Sequence, residues 1–145
     1  MSEESERNKQ IVRDITELIW NQRRCDEISK FYAEDYVVDY TPYAPLRRGR
    51  EVVREMVERA YTAFPDYHEE LHEMVAEGDT VVARLAISGT QQGQWGPVPP
   101  TGKHVSIEEI VTLKFRDGKV VWQRGLVDNL GALRQLGVVP TPKQS

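Results

Sequence analysis

The stretch Val120–Gly137, VVWQRGLVDNLGALRQLG, decides the fold, because it predicts a strand that runs directly into a short C-terminal helix. Asp128 stands at the joint, and strand alternation puts it on the same face as Trp122 and Leu126. A carboxylate at the end of an otherwise apolar strand face is costly to bury unless it has a partner or a function. We therefore predict that Asp128 lies at the centre of an active site.

The residues before this stretch predict a series of strands joined by turns. Strands are predicted over 68–76, 80–91 and 103–116, where apolar residues alternate with others. A Gly/Pro-rich loop over 93–102 separates the second strand from the third. Asp117-Gly118 is a strong hairpin signal and leads into the final strand. The second half of the chain therefore predicts a meander of four strands.

The first half of the chain is predominantly helical by pattern. An amphipathic helix is predicted over 6–21, a short one follows Asp26, and a third runs from Gly49 to Phe64. A short strand is predicted over 36–41. Helices gathered early and strands late indicate an α+β fold, with helices on one side of a curved antiparallel sheet. Such a sheet encloses a concave pocket suited to a small molecule.

Composition narrows the function classes. The chain has 145 residues, which favours one domain over 1–145 with an ordered core of about 6–138 and short polar tails. A net charge of −4 argues against nucleic acid as a partner. The single Cys25 excludes an internal disulfide and fits a reducing compartment. The polar N-terminus is unlike a signal peptide and no apolar run could cross a bilayer, so we expect a cytoplasmic protein that does not bind membranes.

The runs GDTVVARLAISGTQQGQWGPVPPTGKHVSIEE and DGKVVWQRGLVDNLGALRQLG resemble the SnoaL-like polyketide cyclases, members of the nuclear-transport-factor-2-like superfamily of cone-shaped α+β domains. The matching pieces are short motifs: Glu77-Gly78-Asp79, Gly89-Thr90, Pro99-Pro100-Thr101-Gly102-Lys103, Asp117-Gly118-Lys119, Asp128 with Gln135-Leu136-Gly137, and Phe64-Pro65-Asp66. The resemblance covers nearly the whole chain and implies N-terminal helices packed over a deep pocket.

The resemblance also implies a reaction. The best-known members close a ring of an aromatic polyketide ester by intramolecular aldol condensation, without a metal or an organic cofactor. In that family the acid at the position of Asp128 is the general acid/base. Two residues depart from the family pattern, since Gln91 stands where histidine is frequent and Arg124 where tryptophan is common. Both change the polarity of the predicted pocket, so the substrate is expected to differ.

The chemistry requires an acid whose pKa is raised toward neutrality, which burial among apolar groups provides. Arg124 has the same strand parity as Asp128 and would either lower its pKa or bind a substrate carbonyl or carboxylate. The alternative for Asp128 is a purely structural cap for the closing helix.

Further residues are predicted to contact the substrate. Glu109 interrupts an apolar strand face, either as a second pocket acid or as an ion-pair partner of Arg84 or Arg124. His68 is a candidate for the pocket lining, although its spacing from His72 on a strand argues against a metal site. The remaining candidates are aromatic walls or polar contacts: Trp20, Tyr40, Trp95 and Gln91. The loop over 93–102 is a candidate lid.

Other functions on this fold remain open at this point. An epoxide hydrolase of the same superfamily pairs an arginine with an aspartate two residues later, but Arg84 is followed by Ala86 at that spacing. Hydroxylase-like and pericyclase-like relatives, and a domain that binds a small molecule without chemistry, are further alternatives. We expect a small, hydrophobic polyketide-like substrate and a homo-oligomer, either a dimer or a tetramer.

Overall fold

The computed structural model describes residues 2–41 and 43–142. The order of the helices and strands along the chain agrees with the sequence-based prediction, apart from the short strand β2. In chain order they are α1 Glu3–Asp14, a π-helical segment Ile15–Asn21, a 3₁₀ turn Cys25–Glu27, α2 Ile28–Phe31, β1 Tyr32–Asp39, β2 Arg47–Arg48, α3 Glu51–Ala63, β3 His68–Glu77, β4 Thr80–Thr90, β5 His104–Arg116, β6 Lys119–Val127 and α4 Asn129–Gln135.

The N-terminal helix begins earlier than predicted. Ser2 caps it, since the Ser2 hydroxyl accepts a hydrogen bond from the Ser5 backbone N–H at 3.0 Å. The expected polar tail is therefore largely helical, and Ser5 is buried. The expected C-terminal tail ends in residues 143–145, which lie outside the described residues, as does Pro42 in the loop after β1. None of the helices within 2–41 and 43–142 is both long enough and apolar enough to span a membrane.

Six strands form one curved, unclosed sheet in the order β2-β1-β6-β5-β4-β3. The predicted meander of β3 to β6 is confirmed, and each of its pairs is antiparallel. One expectation is wrong: β1 pairs with β6 in parallel, so the sheet is mixed. A parallel pair needs a long crossover, and here β2, α3 and β3 to β5 lie between the two strands in sequence.

The prediction about the faces of β6 is also wrong. Leu126 is 58% exposed and lies on the outer face, opposite Ile110, which is 52% exposed. The interior face of β6 carries Gln123, Gly125 and Val127. Strand alternation had been correct, but apolar content had identified the wrong face as buried.

Helices cover the interior face of the sheet and form its main core. The residues of this core come from α1, the π-helical segment, α2, α3 and the inner sides of β1, β4, β5 and β6: Val12, Ile15, Ile19, Ile28, Tyr32, Tyr36, Val38, Val52, Val53, Val57, Val81, Ala83, Leu85, Val111, Leu113, Phe115 and Val120. A smaller apolar cluster holds α4 against β5 through Val105, Ile107, Ala132 and Leu136. Between the helices and the sheet this packing leaves an open cavity.

Candidate active site

Two adjoining cavities lie between the helices and the interior face of the sheet. The first has a volume of about 260 Å³ and contains most of the polar groups described below. The second has a volume of about 170 Å³ and lies toward α4, with mainly apolar walls. Five residues line both cavities: Ala60, Tyr67, Ile87, Trp95 and Val127. The two cavities therefore adjoin as a site with a polar end and an apolar end.

Glu109 supplies the acid at the polar end. The residue is 7% exposed and lies on the interior face of β5. Its Oε2 accepts a hydrogen bond from the Tyr40 hydroxyl at 2.5 Å. The Gln123 Nε2 donates to that hydroxyl at 2.8 Å, and the Tyr36 hydroxyl donates to the Gln123 Oε1 at 2.9 Å. We call this chain, from Tyr36 through Gln123 and Tyr40 to Glu109, the tyrosine relay.

Burial raises the pKa of Glu109 to about 7, because the charged carboxylate loses water, while the hydrogen bond from Tyr40 acts in the opposite direction. Burial also raises the pKa of Tyr40 and Tyr36 well above the ordinary tyrosine value, so both stay protonated donors. An acid with a pKa near neutrality can both accept and return a proton at physiological pH.

Gly125 makes room for this pair of side chains. A Cβ at Gly125 would lie well inside van der Waals contact with the Glu109 Oε2 and with the Tyr40 ring. A glycine inside a strand often marks such a close approach. A glycine at position 125 is therefore a signal in the sequence that large side chains, here Glu109 and Tyr40, pack against the backbone of β6.

A second buried acid, Glu69, was not predicted. It stands in the polar run His68–Glu73, which hides its inward position, and a bulge between Leu71 and Glu73 changes the alternation of β3. Its carboxylate accepts a hydrogen bond from the Tyr67 hydroxyl. Burial, and secondarily the charge of Glu109, raise the pKa of Glu69 to about 8. Both acids line the first cavity.

The π-helical segment positions Glu69 through its last residue. The Asn21 Oδ1 accepts from the Glu69 N–H at 2.8 Å, and the Asn21 Nδ2 donates to the Glu69 carbonyl at 2.9 Å. The same segment contributes Thr16 and Trp20 to the cavity wall. Segments of π-helix frequently occur at functional sites, and this one connects α1 to the acid on β3.

Two arginines also line the first cavity, Arg47 from β2 and Arg59 from α3. Arg47 and its neighbour Arg48 form β2, which pairs with β1. The cavity thus presents seven titratable side chains of three kinds, from five elements or adjacent segments: Tyr32 and Tyr40 with β1, Arg47 on β2, Arg59 on α3, Tyr67 and Glu69 with β3, and Glu109 on β5.

Two tryptophans predicted from sequence lie in the cavity walls. Trp20 packs against Tyr67 with ring centroids 5.7 Å apart, and Trp95 packs edge-to-face on Phe64 at 5.8 Å. Trp95 belongs to the loop over 93–102, which was a candidate lid. Together with Tyr40 and Glu109, four of the predicted contacts therefore gather at one site.

Asp128 lies apart from these residues. Its side chain is exposed, and its Oδ1 accepts a hydrogen bond from the Gly131 N–H at 2.9 Å, which caps α4. Neither cavity wall includes Asp128, although its neighbour Val127 contributes to both and Asn129 to the second. The expectation of a buried acid at this position is corrected: the apolar face that suggested burial is the outer face of the sheet.

Three further candidates lie away from the cavities. Arg124 is on the outer face, where its Nη1 donates to the Asp39 Oδ2 at 2.8 Å. His68 is exposed at the start of β3. Gln91 is fully buried but holds the loop over 93–102, since its Nε2 donates to the Val98 carbonyl and its Oε1 accepts from Thr101. These positions correct the expectation that they line the pocket.

The ion pair considered for Glu109 is also absent from the described residues. Arg84 lies on the outer face and pairs with Glu73 at 2.9 Å and with Glu108 at 2.6 Å. The neighbouring residues Glu108 and Glu109 face opposite sides of β5. Arg84 therefore pairs with Glu108 on the outer face and not with Glu109 in the cavity. Within residues 2–41 and 43–142, no group of three His, Cys, Asp or Glu side chains is arranged to hold a metal ion.

Comparison with known proteins gives the same family throughout. The chain matches the family described as SnoaL-like polyketide cyclase over residues 10–136. It is 32% identical to aklanonic acid methyl ester cyclase DnrD of Streptomyces peucetius over 136 residues, covering 92% of this chain and 93% of that enzyme. AclR of Streptomyces galilaeus, described as a candidate hydroxylase, is 28% identical with a TM-score of 0.83, covering 97% of this chain and 87% of AclR.

A protein of Jannaschia sp. CCS1, described as a candidate SnoaL-like polyketide cyclase, superposes with a TM-score of 0.87. It covers 97% of this chain, and this chain covers 98% of it, at 20% identity. At that identity the likeness shows the fold alone.

Proposed function

Because the chain belongs to the SnoaL-like polyketide cyclase family, as its sequence motifs predicted, we propose that it closes a ring on a polyketide-type carbonyl substrate by acid/base, aldol-type chemistry. The observation that carries this proposal is a single one: a buried carboxylic acid, Glu109, lines a largely apolar cavity and has a pKa near neutrality. Substrates of the same class as aklanonic acid methyl ester, the one that DnrD is named for, are the first to test.

The proposed reaction needs only proton transfers and one new carbon–carbon bond. The Glu109 carboxylate removes a proton from a methylene group between two carbonyls, which leaves an enolate. The enolate carbon attacks a second carbonyl carbon of the same molecule, and the electron pair of that carbonyl moves to its oxygen. The resulting alkoxide takes a proton back from a carboxylic acid, so the product is an isomer of the substrate. No oxidant or reductant is consumed.

Glu69 is suited to the second part of this sequence. Its pKa of about 8 keeps it mostly protonated at neutral pH, so it can donate a hydrogen bond or a proton to the developing alkoxide. Tyr67 fixes one side of the carboxyl, and Asn21 fixes the backbone on both sides of it. Two acids whose pKa values differ because of their surroundings can divide the roles of base and acid.

Asp128 is the competing assignment, since the family resemblance gives it the acid/base role. We favour Glu109 because its carboxylate lines the cavity, whereas the carboxylate of Asp128 is exposed and accepts the capping hydrogen bond of α4. The two assignments predict opposite effects on turnover for the substitutions Glu109→Gln and Asp128→Asn, each of which replaces a carboxyl group with an amide of the same shape.

The test measures turnover of linear polyketide methyl esters and of the corresponding free acids by wild type, Glu109→Gln and Asp128→Asn. We expect Glu109→Gln to lower kcat by about 10²- to 10⁴-fold, the usual value of a positioned acid or base. We expect Asp128→Asn to stay within about tenfold of wild type, because asparagine also caps helices. Full activity of Glu109→Gln, together with loss of activity in Asp128→Asn, would assign the acid/base to Asp128.

A panel that adds epoxides to the esters separates cyclisation from the other chemistries of this fold. The structure does not favour epoxide opening. Arg84, the arginine considered for that reaction, forms ion pairs on the outer face of the sheet and does not line the cavity. The likeness to AclR keeps a hydroxylase-type reaction in the panel. Turnover of an epoxide, and not of any ester or free acid, would reject the cyclase proposal.

We also propose that the protein forms a homo-oligomer through the outer face of its sheet, and that it is cytoplasmic, as its single free cysteine suggests. Leu126 and Ile110 are adjacent in the sheet, and both are more than half exposed, so a second copy could cover them. Light scattering tests this: Ile110→Lys should lower the mass to that of one chain of 16.7 kDa. A wild-type protein of that mass would reject the proposal.

A further inference from the structure

Two cations that line the first cavity, Arg47 and Arg59, have no ion-pair partner among the described residues, and Arg47 is the one with a buried nitrogen left unpaired. Arg47 lies on β2 opposite Val38, whose buried side chain belongs to the main core, whereas the next residue, Arg48, is exposed. The Arg47 guanidinium lines the first cavity, and its Nε is buried with no hydrogen-bond partner among the described residues. Arg47 takes part in none of the ion pairs that those residues form.

The unpaired nitrogen of Arg47 lowers the stability of the folded state. The Arg47 side chain is half-buried, and its Nε–H is buried without a hydrogen-bond acceptor, which is unfavourable. An arginine in a protein also always carries a positive charge. The two acids of the cavity do little to offset it, because at a pKa of about 7 and about 8 they together carry only part of one charge at pH 6. With Arg59 at the same cavity, the site is therefore positive below neutrality.

We propose that Arg47 forms a subsite for a carboxylate of the substrate, so that the enzyme takes a polyketide free acid rather than its methyl ester. This inference rests on the proposed function for the identity of the rest of the substrate, but the subsite itself is a matter of binding. A guanidinium pairs with a carboxylate through two parallel hydrogen bonds.

The location of Arg47 connects this subsite to the acid. Arg47 lies opposite Val38 on β1, and Tyr36 is two residues from Val38 on the same buried face of that strand. Tyr36 begins the tyrosine relay that ends at Glu109. A carboxylate held at Arg47 would therefore fix the substrate at one end of the network, with the reacting methylene toward the other.

The test measures binding and does not depend on turnover. Anthraquinone-2-carboxylate and its methyl ester serve as probes, with affinity read from quenching of the cavity tryptophans at pH 6. Wild type should bind the carboxylate at least tenfold more tightly than the ester. Arg47→Met should lose at least tenfold in carboxylate affinity and leave ester affinity within about twofold.

Two control variants make the result specific. Arg48→Met removes an exposed arginine from the same strand and should match wild type with both probes. Arg47→Lys keeps the charge and should keep most of the preference for the carboxylate, and it replaces Arg47→Met if that variant fails to fold. Equal affinity of wild type for the two probes, or no binding of the carboxylate at millimolar concentration, overturns the subsite.

The outcome is independent of the reaction. If the carboxylate preference is present and depends on Arg47, the subsite stands even when no ester or acid in the turnover panel is cyclised. If cyclisation depends on Glu109 but the probes bind equally, the subsite fails and the proposed function is unaffected.

Discussion

Glu109 and Asp128 are neighbours in space, since Glu109 pairs with Val127, the residue before Asp128, but they differ in what they do for the fold. Glu109 is buried against Tyr40, and burial disfavours its charged form. Asp128 is exposed and accepts the hydrogen bond that starts α4. The burial that raises the pKa of Glu109 lowers the stability of the folded state at neutral pH, whereas the helix cap formed by Asp128 increases it. Acids that destabilise the fold at neutral pH are the better candidates for catalysis.

The largest expected effect on stability follows from this contrast. Glu109→Gln should raise the free energy of unfolding by about 3 kcal/mol at pH 8, since the folded chain no longer holds a carboxylate whose pKa is raised from 4.5 to about 7. At pH 4 the carboxyl is protonated in the folded and unfolded chains alike, so the difference should vanish.

Wild-type stability should accordingly fall as pH rises from 4.5 toward 7, because the unfolded chain releases a proton that the folded chain keeps. Urea unfolding of both proteins at pH 4, 6 and 8 measures this. Equal stability of the two proteins at pH 8 would mean that the folded state accommodates the carboxylate without penalty, and the contrast with Asp128 would disappear.

The next effect concerns the space around Glu109. Gly125→Ala places a Cβ against the Glu109 carboxylate and the Tyr40 ring, so these side chains must shift. A displacement of about 1 Å in a catalytic group can cost about 10²-fold in rate, and we expect a loss of kcat of that size. Leu126→Ala, on the outer face of the same strand, is the matched control and should keep wild-type kcat.

An unchanged kcat in Gly125→Ala, with the protein folded by circular dichroism, would show that the exact position of Glu109 does not matter to the reaction. That result would favour the exposed acid over the buried one.

The smallest effect concerns the helix cap. Asp128→Ala should lower the free energy of unfolding by about 1 kcal/mol, the usual cost of losing an N-cap. Asp128→Ser should restore most of this stability, because serine also caps helices, and it should keep activity near wild type. Thermal unfolding and turnover of the two variants provide the measurement. A serine variant that is stable but inactive would indicate that Asp128 acts as an acid.

The sequence predicted the fold well because its strongest signals are local. Alternation in β4 and β5, the Asp117-Gly118 hairpin and the amphipathic helices each require only neighbouring residues. The parallel pairing of β1 with β6 could not be predicted in this way, because the local pattern of either strand does not specify its neighbour in the sheet.

The site was predicted less well, for two physical reasons. Leu126 and Trp122 suggested a buried face of β6, but apolar residues also occur on surfaces that subunits or solvent cover, so burial could not be inferred from them. Glu69 was hidden in a polar run, and only the bulge in β3 shows which of its acids points inward. Glu109 was recognisable because a single acid interrupts a regular apolar alternation.

The pH dependence of kcat/KM tests the central claim most directly, with wild type and Asp128→Asn compared on the same ester. If the ionised form of Glu109 is the base, kcat/KM should rise with pH through an inflection near 7 in both proteins, as the pKa of the buried carboxyl requires. A wild-type profile without an inflection near 7, together with loss of activity in Asp128→Asn, would contradict the account.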